Sequence, residues 1–411
     1  LMSNNIKKLE TQYNKYIYPK PCENIEEEYI KDNRYQECDP NYHWHKLWPE
    51  KKYERKKLNI LVAGCGSDQA AILAKCNPIH NFTGIDISTS SLEHQKKLIK
   101  KHKIKNLTLI CDDFRNVKLS EKFNYIISTG VIHHLDDPGS ALNFFEKNLT
   151  DDGVLYLMVY GDQQTEGIKG LKNIFKKLEF EQNSSSIRSI KLLTEKLKKD
   201  HPAIIFSKYF KDINEDTGIV DTFLHPKEKF YSIKELIFSL GKNNLIIKNF
   251  VNGRVAALSK YFIDNEDIEK KIRNFTIEEQ LEISQILNWN DRKIDIICTK
   301  KKNIKYSKVY TQLELDSLYI CRFQSVDYLI NSQNIKVVDN KNESFFEFNF
   351  LNTKINWNEI LLGKKNLKQL TSNFSATEKK NLYKRISFMI ENYVLDFSFH
   401  EIENYKRYYA K

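Results

Sequence analysis

The stretch LNILVAGCGSDQAAILAK, residues 58–75, is an unbroken apolar run that meets glycines at 64 and 66 and then takes helical spacing. An apolar run without alternation fits a strand buried on both faces, as in a parallel sheet. The two glycines let the backbone pass close to a ligand, and the helix that follows offers unpaired amides at its N-terminus. Residues 58–75 therefore read as strand, ligand-binding turn and helix.

Outward from this unit the pattern recurs. NFTGIDI, NLTLICD, FNYIISTG and GVLYLMVYG are short apolar strands, and SSLEHQKKLIKKH and PGSALNFFEKNL between them have helical spacing. Strand and helix in alternation predict a parallel sheet covered on both faces. The alternation pauses over about 162–228, which contains GIKGLKNIFKKL and SIRSIKLLTEKLKKD, and resumes with IKELIFSL, NLIIKNFV and KIDIICTK. The expectation is an α/β, Rossmann-like sheet of seven strands over residues 58–302 with a helical insertion, preceded by an N-terminal cap over 1–57. After residue 303 come strand-like segments, two helical segments (NWNEILLGKKNLKQLTSNF and ATEKKNLYKRISFMIENYV) and the strand-like LDFSF. That order predicts a C-terminal α+β, winged-helix-like module over 303–411.

The 411 residues are enough for two or three cores, and 41% hydrophobic content fits an ordered protein. A net charge of +11 is spread along the chain, without the dense basic arm that marks nucleic-acid binding. Seven cysteines with no CxxC pair read as reduced thiols. LMSNNIKKLETQYNK lacks a signal-peptide core and no run reaches the ~18 apolar residues of a membrane span. A cytoplasmic protein is expected, and a homodimer is compatible with the sequence. HWH at 43–45 has no third ligand nearby, so no metal site is expected.

Asp86, in GIDIS twenty residues beyond Gly66, stands where an acid at the end of the second strand accepts hydrogen bonds from ribose hydroxyls. That position suits a nicotinamide dinucleotide and S-adenosylmethionine equally. The dinucleotide fingerprint wants a third glycine where Gln69 stands. CDDF places Asp112, Asp113 and Phe114 where they could hold an adenine, and STGVIHHLDDP places Thr129, Gly130 and Val131 beside the same pocket. These details favour S-adenosylmethionine.

Taken in order, LVAGCGSDQA, GIDIS, CDDF, GVIHHLDDP and LTDDGVLYLMVYG resemble the class I S-adenosylmethionine-dependent methyltransferases, over roughly residues 58–300. QYNKYIYPKP followed by the glycine turn is similar to a bacterial subgroup with an N-terminal Gln-Tyr…Tyr-Pro segment. The overall arrangement resembles rickettsial-type protein lysine methyltransferases. The resemblance implies S-adenosylmethionine as cofactor, held by Ala63, Gly64, Cys65, Gly66, Gln69, Asp86, Ile87, Asp112, Asp113, Phe114, Thr129, Gly130 and Val131. Tyr13, Tyr16 and Tyr18 are candidates for an aromatic lid, since an aromatic face attracts a sulfonium. His133 and His134 are both candidate bases, since imidazole titrates near neutral pH, and His133 is the one placed in the catalytic set. Asp221, His225 and Tyr231, in DTFLHPKEKFY, are candidates for the acceptor pocket. The implied acceptor is a protein side chain such as lysine, with a small metabolite or glycan as the alternative. A non-catalytic protein binding through its winged-helix-like tail is the competing class.

Overall fold

The computed structural model describes residues 4–54, 56–163, 165–209, 215–251, 256, 258, 265–288, 293–323, 327–330, 334–338, 344–349 and 356–402. Seven strands form one sheet: β1 (Asn59–Ala63), β2 (Asn81–Asp86), β3 (Leu107–Cys111), β4 (Phe123–Thr129), β5 (Leu149–Tyr160), β6 (Leu245–Phe250) and β7 (Lys293–Lys300). Their order is β3-β2-β1-β4-β5-β7-β6. β1 to β5 run parallel, whereas β7 runs antiparallel to both β5 and β6. The order reverses between β1 and β4, so the carboxyl ends of those strands open a crevice where such sheets bind ligands. β1 and β7 are buried almost throughout, which is why both lack polar alternation.

The N-terminal residues fold as four helices, α1 (Asn4–Lys15), α2 (Ile25–Lys31), α3 (Asn33–Glu37) and α4 (Trp44–Leu47). α5 (Gln69–Cys76) and α6 (Thr89–His102) follow β1 and β2. Aromatic residues of the N-terminal segment, among them Tyr29, Tyr35 and Trp48, share one buried cluster with β1 and α5. Hydrogen bonds tie the segment to the glycine turn: the Tyr35 hydroxyl donates to Asp68 at 3.0 Å, the Cys22 amide donates to its other oxygen at 3.3 Å, and the Ser67 hydroxyl donates to the Pro19 carbonyl at 3.2 Å. Asn14 Oδ1 accepts from the Ser90 amide at 3.1 Å, fixing the end of α1 on the start of α6.

α7 (Pro138–Asn148) precedes β5. Between β5 and β6 lie α8 (Glu166–Lys177), α9 (Ser184–Glu195), α10 (Pro202–Tyr209) and α11 (Asp216–Phe223), then α12 (Ile233–Lys242). Ile168, Leu171, Phe175, Ile187, Ile190 and Phe223 give α8, α9 and α11 a small core of their own. α13 (Glu266–Arg273) and α14 (Ile277–Leu287) precede β7.

The C-terminal part holds two three-stranded antiparallel sheets. One orders β11 (Ser344–Asn349), β10 (Asn334–Val338) and β9 (Asp327–Ile330), and the other β12 (Leu362–Asn366), β8 (Tyr319–Arg322) and β13 (Leu395–Ser398). Of the two expected helices, the second forms as α17 (Ala376–Glu391), started by a Ser375–Glu378 capping box. The first is broken into α15 (Trp357–Ile360), β12 and α16 (Leu367–Leu370). Gly363 at φ +63° turns the chain there, with the Ile402 side chain filling the space a Cβ would need. The sheet of β13 is fastened to the N-terminal segment. Asp396 lies 3.3 Å from Lys46 and 3.5 Å from His45, all three buried, and the Phe399 amide donates to the Pro49 carbonyl at 2.9 Å.

Candidate functional site

At the carboxyl ends of β1, β2, β4 and β5 lies a cavity of about 1040 Å³. Its floor is the glycine turn. Gly64 has φ +73°, and a Cβ there would sit 2.3 Å from Val131 Cγ2; Gly66 has φ +56°, and a Cβ there would be in ordinary contact with Pro19 Cδ at 3.8 Å. Both angles fall in the left-handed region that disfavours side chains. Asp86 closes the turn: Oδ2 accepts from the Gly66 amide at 2.8 Å and Oδ1 from the Ser88 amide at 2.8 Å. Burial raises the Asp86 carboxyl above its ordinary range, although both backbone bonds oppose the shift. Gln69, standing where a third glycine was sought, accepts from the Thr129 hydroxyl at 3.1 Å and so links the turn to the end of β4.

Gly64, Cys65, Gly66, Gln69, Asp86 and Ile87 all line the cavity, as do Asp112, Asp113 and Phe114. So do Thr129, Gly130, Val131, Tyr13, Tyr18 and Asp221. Ala63 does not: it is fully buried in the sheet core. Asp113 is occupied, with Arg115 bound to its carboxylate at 2.6 Å and the Arg115 amide capped by it. Asp112 is the less buried acid of that pair.

Three of the four catalytic candidates fall outside the lining. His133 is fully buried against the Tyr160 ring, and neither ring nitrogen has a hydrogen-bond partner. Tyr231 is buried under the sheet, its hydroxyl without a partner, and burial pushes it up to about 12. His225 stands one layer back, its ring stacked on His134 with centroids 3.8 Å apart. The lining histidine is His134, the other member of the pair, which stands outside the catalytic set expected from the sequence.

Three lining residues, Tyr13, His134 and Asp221, form a connected polar cluster with His225 behind them. The Tyr13 hydroxyl donates to Asp221 Oδ1 at 3.3 Å and meets His225 Nε2 at 3.4 Å. Burial, then Asp221, raises Tyr13 well above its ordinary value. His134 Nδ1 lies 3.1 Å from the Lys227 carbonyl, and the Lys227 amide donates to His225 Nδ1 at 3.2 Å. Burial lowers both histidines, His225 well below the ordinary value. His134, Asp221 and His225 bring ligand-capable atoms within 4.8 Å of one another.

The wall also carries charge beyond Asp86, Asp112, Asp113 and Asp221, the acids expected from the sequence. Carboxylates outnumber lysine and arginine on it nine to three, the cations being Lys31, Arg34 and Lys293. Glu37 from α3 and Asp295 from β7 are two of the acids. Burial, then Asp295, raises Glu37 to about 7. These residues come from distant segments with no shared motif, so spacing held no signal for them.

A family model described as a methyltransferase domain matches residues 54–198. The chain is 25% identical over 189 residues to a malonyl-[acyl-carrier protein] O-methyltransferase of Bacillus cereus, covering 46% of this chain and 67% of that protein. It is 23% identical over 220 residues to an uncharacterised protein of Synechococcus sp., covering 48% of this chain and 51% of that one. The chain thus spans about two thirds and one half of these relatives. Among solved structures, PKMT2 from Rickettsia typhi in complex with AdoHcy matches with a TM-score of 0.59 at 16% identity, over 88% of this chain and 76% of that one. The structure described simply as PKMT2 from Rickettsia typhi gives 0.63 over the same shares.

Proposed function

We propose that this chain, which carries a class I S-adenosylmethionine-dependent methyltransferase domain, methylates an amine on a protein side chain, lysine foremost. The observation that carries this reading is the sign of the cavity. In a chain of net charge +11, its wall holds nine acidic side chains against three cations, and acids remain in excess after Asp113 is paired with Arg115, Asp32 with Arg34 and Glu37 is set aside as raised to about 7. An acidic cleft draws in an ammonium group and repels a carboxylate such as the malonyl group in the Bacillus cereus protein's name. The fold match to PKMT2 supports the same reading, because it extends over 88% of the chain, well beyond residues 54–198. A small metabolite or glycan is the second reading, and a cavity of about 1040 Å³ has room for one beside the cofactor.

The residues present fit S-adenosylmethionine. The glycine turn presents backbone without side chains at Gly64 and Gly66, and Asp86 offers a carboxylate at the end of β2 for the ribose hydroxyls. Asp112 would take the adenine amino group, with Ile87 and Phe114 beside the ring. Thr129, Gly130 and Val131 would bound the methionine end, and Tyr13 and Tyr18 would cover it. When bound, the cofactor supplies an electrophilic methyl group, so the protein's part is alignment, exclusion of water and removal of a proton. A cap over 1–57, a catalytic domain over 58–302 and a winged-helix-like binding module over 303–411 complete the proposal. The helix, turn, helix and strand order across α16, α17 and β13 supports the last of these. Seven free cysteines support a reducing, cytoplasmic setting.

The test uses cofactor with a tritiated methyl group, offered with poly-L-lysine or poly-L-glutamate. Base-stable label recovered as methyl-lysine is expected from the first and none from the second. Label in poly-L-glutamate, or base-labile label in either, overturns the amine reading.

A further inference from the structure

We propose that His134, not its neighbour His133, is the general base that takes the proton from the acceptor. The inference rests on the amine reading above and names the group that serves it.

A single 3-10 turn, Ile132–His134, follows β4 and sends the two imidazoles to different places. His133 goes into the protein, while His134 faces the cavity. The tautomer of His134 follows from its partner. A carbonyl oxygen only accepts, so the contact between Nδ1 and the Lys227 carbonyl puts the ring proton on Nδ1. In the neutral ring Nε2 then holds a lone pair.

Lys227 sets His225 the opposite way. Its amide donates to His225 Nδ1, which leaves the proton on Nε2, pointing to the Tyr13 hydroxyl. That hydroxyl in turn donates to Asp221. The run His225, Tyr13, Asp221 is therefore satisfied from end to end. Its Nε2 proton also occupies the lone pair that a cation bridging His134, Asp221 and His225 would require. One backbone unit thus prepares His134 as an acceptor and His225 as a donor.

The charged and titratable groups around His134 leave it neutral. Burial is the leading influence; Glu228 favours the imidazolium and Lys172 opposes it, and these two are themselves paired. His133, His225, Asp221 and Tyr13 complete the surroundings. In the step, the acceptor ammonium passes a proton to Nε2. The lone pair so freed forms the carbon–nitrogen bond, and the electron pair of the broken methyl–sulfur bond leaves with sulfur. The imidazolium then returns its proton to water through the open cavity.

Two measurements test this. Selective ¹⁵N-histidine NMR on the full chain is expected to show His134 neutral at pH 7 with its proton on Nδ1. A proton on Nε2, or an imidazolium at that pH, overturns the proposal. Second, His134→Asn keeps a donor for the Lys227 carbonyl but lacks the base. Methyl transfer to poly-L-lysine is expected to fall about 100-fold or more at pH 7, while AdoHcy affinity stays within about threefold. The wild-type rate should be level from pH 7 to 9, since His134 is already unprotonated. The variant's rate should rise about tenfold per pH unit there, following free lysine amine, whose pKa is about 10.4. A variant that keeps the wild-type rate, or shows an equal loss at every pH, overturns the base. If wild type leaves poly-L-lysine unlabelled, the amine reading itself is overturned, whatever the tautomer.

Discussion

Alanine at position 64 tests the geometry of the glycine turn with a magnitude the structure supplies. At φ +73° an alanine costs about 1–2 kcal/mol in backbone strain. Its Cβ would also lie 2.3 Å from Val131 Cγ2, far inside van der Waals contact. Relieving such an overlap in a packed site costs a further ~1–3 kcal/mol, so Gly64→Ala should destabilise by about 2–5 kcal/mol. Gly66→Ala carries similar strain but no overlap, its nearest neighbour being Pro19 Cδ at 3.8 Å, and should cost only about 1–2 kcal/mol. Val131→Ala removes the clashing methyl groups, so Gly64→Ala with Val131→Ala should recover ~1–3 kcal/mol relative to the sum of the single changes. Urea unfolding of the four proteins reads these differences, and AdoHcy calorimetry reads whether the displaced Val131 narrows the cavity. Equal losses for both glycine variants, or strict additivity with Val131→Ala, would refute the reasoning.

Two further outcomes follow from buried charge. Asp86→Asn should weaken AdoHcy binding at least tenfold, about 1.4 kcal/mol. It should also lower urea stability, by about 1–3 kcal/mol less whatever is regained by removing a buried anion, because asparagine has one acceptor oxygen for the Gly66 and Ser88 amides that Asp86 takes on separate oxygens; a loss of stability with AdoHcy affinity unchanged would show that Asp86 serves the fold alone. Asp396→Asn leaves Lys46 buried without its carboxylate and should cost ~3–5 kcal/mol, with most of it restored in Lys46→Met plus Asp396→Leu. Burial pushes the Asp396 carboxyl up, but Lys46, His45 and Lys308 outweigh it and hold the group well below the usual range. Its contribution is therefore complete above the unfolded carboxyl's pKa of about 3.9 and fades as pH falls below that value. A double variant no more stable than Asp396→Asn would contradict the pairing.

The sheet and its glycine turn were legible because their signals are local. A strand buried on both faces writes a continuous apolar run, and Gly64, Gly66 and Asp86 follow it at short spacing. The histidine pair was not legible to the same depth. His133 and His134 are adjacent on a 3-10 turn, so which one meets the cavity depends on how that turn is rotated, and the ring tautomers depend on Lys227, 93 residues away. Glu37 and Asp295 share a wall only after α3 and β7 are packed. The C-terminal helix that broke into β12 kept helical spacing on either side of Gly363. There the glycine's left-handed angle and the side chain of Ile402 outweighed propensity.

Asp68 shows how one residue can read as a departure and act as a tie. In GCGSDQ it stands where the dinucleotide pattern expects nothing in particular, yet it accepts from Tyr35 and Cys22 of the N-terminal segment. The same segment supplies Tyr13 to Asp221 and Lys46 to Asp396. Each of these acids is buried, and a buried carboxylate without a donor or cation is costly. Removing the segment would strip a partner from the cofactor turn, from the polar cluster on the cavity wall and from the C-terminal sheet together. Residues 4–50 are on that ground part of the site's architecture: they carry one wall of the cavity and hold the sheet of β13 to it.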